Sequence, residues 1–116
     1  MPMGTDRERL QLMLDAVNGI ERNLAGKSFE DFAANSDLAA TVERYVERLS
    51  AALGHAPASL TADHPAVDWR AIGAIGNLLR HIYDHSLDQQ VWQVAKGNLP
   101  GLKAAILSTI RKLDAT

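Results

Sequence analysis

The run Gly76-Asn77-Leu78-Leu79-Arg80-His81-Ile82-Tyr83 sets a histidine and a tyrosine into the polar gaps of a strongly apolar segment that begins at Trp69. Histidine gains and loses its proton near neutral pH, so one placed among polar neighbours is the first candidate for acid and base chemistry. At about 100° per residue, Arg70, Asn77, His81 and Asp84 share one side of the helix that this segment predicts, with Gly73 and Ala74 between them. Small residues there let another backbone come close, which suits a shallow polar site completed by a second helix or a second subunit. The plainer alternative is a solvated face, or a satisfied histidine at a packing seam, and position alone favours it.

Other chemistries find less to work with. His81 and His85 have the i, i+4 spacing of two metal ligands on one helix, with Asp84 and Asp88 nearby. The signal is weak, because no third imidazole or cysteine falls at ligand spacing and His55 and His64 lie on a connection. No metal and no cofactor are expected. Arg80 and Asp84 form an i, i+4 pair of the common surface kind, contributing a few tenths of a kcal/mol. Trp69 and Trp92 read most simply as core anchors. A serine nucleophile has no elbow to sit in, and no glycine-rich phosphate loop follows a strand.

Composition narrows the class further. A chain of 116 residues has room for one domain with one core. A hydrophobic fraction of 47% and a charged fraction of 22% are those of an ordinary globular protein rather than a disordered one. The absence of cysteine removes disulfides, thiolate zinc sites and thiol nucleophiles, and is compatible with a reducing cytoplasm. Met1 to Glu8 carries charges where a signal peptide needs an apolar run, and no stretch approaches the roughly 18 apolar residues of a membrane span. A cytoplasmic protein without membrane contact is expected. A net charge of −2 argues against a broad phosphate-binding surface, so any contact with RNA must be local.

The elements that must position these residues are helical throughout. Thr5-Asp6-Arg7-Glu8 has capping-box spacing, and Leu10, Met13, Leu14, Val17, Ile20 and Leu24 follow at helical spacing up to Gly26. Ser28 opens a short second helix with Phe29 and Phe32. Ser36 or Asp37 then caps a third, in which Leu38, Val42, Tyr45, Val46, Leu49, Ala52 and Leu53 face inward before Gly54. The segment from His55 to Val67, with Pro57 and Pro65, reads as the one long, mobile connection. Asp68 caps the fourth helix, whose apolar stripe is Trp69, Ile72, Ile75, Leu79 and Ile82. Ser86-Leu87-Asp88-Gln89 repeats the capping-box spacing for a fifth helix that stops near Gly97, and Pro100 starts the last, with Leu102, Ile106, Ile110 and Leu113. No run alternates with period two, so strands are not expected. The expected fold is all-α, a four-helix up-down bundle with short additional helices.

The chain resembles a known family. Pro65-Ala66-Val67-Asp68-Trp69-Arg70-Ala71-Ile72, then Asn77, His81 and Tyr83, then Val91-Trp92 and Leu99-Pro100-Gly101-Leu102, look like the HepT-like group of the HEPN superfamily. The match extends to Asp6-Arg7 and to Ser28-Phe29 and Phe32, so it covers nearly the whole chain as one domain, 1–116. The resemblance implies a small all-α homodimer, the toxin half of a toxin-antitoxin pair whose partner is a minimal nucleotidyltransferase. It implies a metal-independent RNA endonuclease site at the dimer interface, marked by arginine, four residues, histidine, one residue and tyrosine. By position His81 is the catalytic histidine, and Tyr83 the tyrosine that the antitoxin modifies with AMP.

One part of that signature differs here. Gly76 stands at the motif's arginine, and Ser50-Ala51 stands where the family has a Gly-Glu pair. A missing preorganised charge donor commonly costs about 10²- to 10³-fold in rate. Arg80, one residue from His81 and hence about 100° round the helix, and Arg70, on the same side but three turns back, are the candidate replacements. Asn77 completes the candidate set. Two expectations follow: a HepT-like ribonuclease toxin, or a degenerate HEPN dimer that keeps a docking surface for the nucleotidyltransferase or a nucleotide or RNA pocket but does not cleave. Under the first, Gly76→Arg is expected to raise activity.

Overall fold

The structure, a computed structural model, describes residues 4–82 and 84–115, with the backbone alone for His85. Its longest helix, α1 (Asp6–Leu24), starts where Thr5 accepts a hydrogen bond from the Glu8 amide, and Gly26 follows its end at φ +72°. Leu10, Met13, Val17, Ile20 and Leu24 recur every three or four residues, and all are buried. Arg7 meets Asp114 at 3.2 Å and Lys103 meets Glu21 at 3.2 Å, so the last helix, α7 (Leu99–Asp114), runs antiparallel to α1.

The second helix, α2 (Phe29–Ala34), carries a complete capping box between Ser28 and Asp31. Phe29, Phe32 and Trp92 form one aromatic cluster, with Trp92 at 5.9 Å and 5.7 Å from the two phenyl centroids. Phe32 is fully buried, and such a ring contributes about 1.5–3 kcal/mol relative to exposure. The third helix, α3 (Ser36–Leu53), lies between α1 and α5 (Trp69–Leu79), burying Ala39, Val42, Val46 and Leu49. Its cap is Asn35, whose side chain accepts from the Leu38 amide, rather than Ser36 or Asp37.

The connection expected to be long and mobile contains a short helix, α4 (Ala58–Ala62). Leu60 is its anchor: it is fully buried, so its backbone is held and the segment folds against α7. Two further helical stretches depart from expectation. The capping box at Ser86 does not form; Asp84 accepts from the Ser86 amide, a 3-10 turn spans His85–Leu87, and α6 (Asp88–Gln93) starts afterwards without a side-chain cap. Nor does the helix stop near Gly97, because a π turn over Val94–Asn98 carries it into α7. Pro100, in the first turn of α7, has no N–H for the Lys96 carbonyl four residues earlier, and the wider turn accommodates the gap.

Among the described residues there is no strand, and no helix is long and apolar enough to cross a membrane. The four longer helices α1, α3, α5 and α7 with short ones between them make the expected all-α fold.

Candidate functional site at the end of the fifth helix

The candidate site depends on where α5 begins and ends. Asp68 accepts a 3.0 Å hydrogen bond from the Ala71 amide, and the Trp69 indole N–H donates to the His64 carbonyl at 2.9 Å, fixing the entry. Ile72, Ile75 and Leu79 hold the helix to the core. The regular helix then ends at Leu79, not at Ile82. The amides of Arg80 and His81 turn back to Asn77 and Leu78 at 3.3 and 3.0 Å, the tightened i to i−3 closure that satisfies carbonyls at a helix end.

Asn77, Arg80 and His81 therefore gather within five residues at the exposed C-terminal end of α5. Arg80 is the C-cap residue and His81 lies in the turn beyond it, so helical periodicity no longer sets the direction of His81 relative to Arg70 and Asn77. This end of a helix carries the partial negative charge of unpaired carbonyls, which favours the Arg80 cation and disfavours a phosphate unless cations accompany it. Arg70 is in the first turn, and 11 residues at about 1.5 Å each set it about 16 Å from His81 along the axis. Within one subunit Arg80 adjoins the histidine along the chain, and Arg70 lies at the other end of the helix.

Tyr83 lies outside the described residues, and so does the side chain of His85, with it the proposed histidine pair. Asp88, expected beside that pair, is buried, at 8% exposure. Among the described residues no three His, Cys, Asp or Glu side chains gather as a metal site.

The motif position Gly76 is buried against α3. A Cβ built there overlaps both Cβ and Oγ of Ser50, while the Ser50 Cα is 3.6 Å away, an ordinary contact. Ser50 in turn donates from its hydroxyl to the Gly73 carbonyl at 3.3 Å. A single arginine at position 76 therefore does not fit between the helices as they stand, so any gain in activity from Gly76→Arg needs space made at Ser50. It also gives the Ser50 departure a structural role. At this crossing serine in α3 faces glycine in α5, so one side of it lacks a side chain.

A family model described as "HepT-like: Ribonuclease HepT-like" matches residues 13–109. The chain, a small all-α domain of the HEPN type, thus belongs to the HepT-like ribonuclease family. No solved structure matches it significantly.

Proposed function

We propose that this chain is the toxin component of a toxin-antitoxin pair and a metal-independent RNA endonuclease in which His81 is the general acid or base. The observation that carries this reading is the exposed cluster of Asn77, Arg80 and His81 at the end of α5, inside the matched 13–109 segment. A base at His81 takes the proton of a ribose 2′-hydroxyl, and that oxygen attacks the adjacent phosphorus. The bond to the 5′-oxygen breaks as the oxygen receives a proton, leaving a 2′,3′-cyclic phosphate and a 5′-hydroxyl. Such proton transfer is typically worth about 10²- to 10⁴-fold. Arg80 supplies positive charge for the phosphate, and Asn77 a neutral donor.

The single domain pairs with a second copy across a two-fold axis that completes the site, and it works in the cytoplasm. A minimal nucleotidyltransferase antitoxin silences it by moving AMP from a nucleoside triphosphate to the Tyr83 hydroxyl, with release of pyrophosphate.

The closed Ser50–Gly76 contact favours a second reading: a degenerate dimer that retains the nucleotidyltransferase and RNA surfaces without cleaving. Incubation of total RNA with the chain and with His81→Ala, each with and without EDTA, separates the two. Cleavage that survives EDTA and disappears in the variant supports the enzyme. A chain as inert as its variant supports the binding module.

A further inference from the structure

Away from α5, a groove of about 830 Å3 runs between α1 and α3, lined among others by Leu12, Asp15, Arg22, Tyr45, Arg48 and His55. Its centre is a seated tyrosine. Gly19, buried in the middle of α1, leaves the space for the Tyr45 ring, since a Cβ there would come within 2.5 to 2.8 Å of three ring atoms. A mid-helix glycine costs about 1 kcal/mol relative to alanine, so helix propensity does not account for it, whereas the ring does.

The ring organises two cations. Arg22 donates from Nη2 to the Tyr45 hydroxyl at 3.3 Å, and the Arg48 guanidinium stands 5.7 Å from the ring centroid. Neither arginine is ion-paired with a carboxylate among the described residues. The groove's Asp15 already accepts from the Gln11 amide at 2.9 Å. In a chain of net charge −2, two guanidinium groups set about one phenol outnumber the groove's single carboxylate, Asp15, and their planar forks match the oxygens of a phosphate.

We propose that this groove is a phosphate-backbone subsite for an RNA strand, held by Arg22 and Arg48 around Tyr45, separate from the α5 cluster that does the chemistry. The proposal rests on the reading of this chain as a protein that acts on RNA. The open groove continues from the arginines towards His55 at the end of α3, a path along which a strand's successive phosphates can track, and its exposed Leu12 offers an apolar surface to a base.

The test is equilibrium binding of a labelled single-stranded RNA oligonucleotide to the full chain over a series of salt concentrations. Arg22→Gln and Arg48→Gln should each weaken binding about three- to tenfold at low salt and lower the salt slope by about 0.7. Tyr45→Phe, which keeps the ring, should give a smaller loss, and Arg111→Gln at the end of α7 none. Groove variants that bind and cleave RNA like the unaltered chain would overturn the subsite while leaving the RNA reading standing. An unaltered chain that does not bind RNA would overturn both. Displacement of RNA by AMP at equal phosphate concentration would overturn the backbone assignment in favour of a mononucleotide, and equal displacement by polyglutamate in favour of an acidic protein.

Discussion

Ser50 of α3 occupies the volume that any side chain on Gly76 of α5 would need. The two residues are 26 positions apart in sequence, yet each fixes what the other can be. Gly76→Arg alone should destabilise the protein by about 3 kcal/mol or more, since overpacking a filled seam costs about 1–3 kcal/mol before the polar head is placed. Combined with Ser50→Gly, the two overlapping atoms are gone and the arginine's Cβ stands 3.6 Å from the Cα of position 50. Ser50→Gly by itself loses the bond to the Gly73 carbonyl and puts a glycine in a helix, about 1–2 kcal/mol in all. Urea unfolding of the four forms should show a favourable coupling of about 1–3 kcal/mol. Strict additivity would contradict the steric account.

The cap of α3 makes a simpler comparison. Asn35→Ala removes the acceptor for the Leu38 amide and should cost about 1 kcal/mol, whereas the exposed Ser36→Ala should fall within about 0.5 kcal/mol of the unaltered chain. Thermal or urea midpoints check this. The reverse order would return the cap to Ser36.

Acid should loosen the start of α2. The backbone N–H of Ser28, followed by its hydroxyl, holds the Asp31 carboxyl below the usual carboxylate range. Because the folded value is the depressed one, its stabilisation is present above the ordinary aspartate value of about 4 and is lost as pH falls through the folded value. The difference in urea midpoint between the unaltered chain and Asp31→Asn should therefore narrow from neutral pH to about pH 3. A difference that stays constant would contradict it.

What could be read from the sequence follows from how local each cause is. The buried stripes of α1, α3, α5 and α7 were legible because apolar residues recur at helical spacing. The cap of α3 was not, because Asn35, Ser36 and Asp37 all have capping side chains and only geometry chooses among them. Leu60, one apolar residue between polar ones, carried no periodicity, so α4 was hidden. The end of α5 was misplaced because Leu78, Leu79 and Ile82 continue an apolar pattern with no glycine or proline to stop it. Helical spacing grouped Asn77 and His81 with Arg70 and Asp84, and Arg80 entered as a candidate replacement for the arginine that the resemblance sets at Gly76; with α5 ending at Leu79, that spacing no longer relates His81 to the rest. The Ser50–Gly76 contact is tertiary, and neither residue's own neighbourhood announces it. The Gly19–Tyr45 seat had one visible sign, a glycine between Val17 and Ile20 on a buried stripe.

Under the proposed function, His81 cleaves RNA and the closed Ser50–Gly76 seam limits the rate by leaving no room for the motif arginine. The most direct measurement compares initial rates of RNA cleavage, in EDTA, for the chain as it stands, for Ser50→Gly with Gly76→Arg, and for that pair with His81→Ala. The folded double variant should cleave about 10²-fold or more faster than the chain, and adding His81→Ala should abolish cleavage. Cleavage that persists without His81, or a well-folded double variant no faster than the chain, would contradict it.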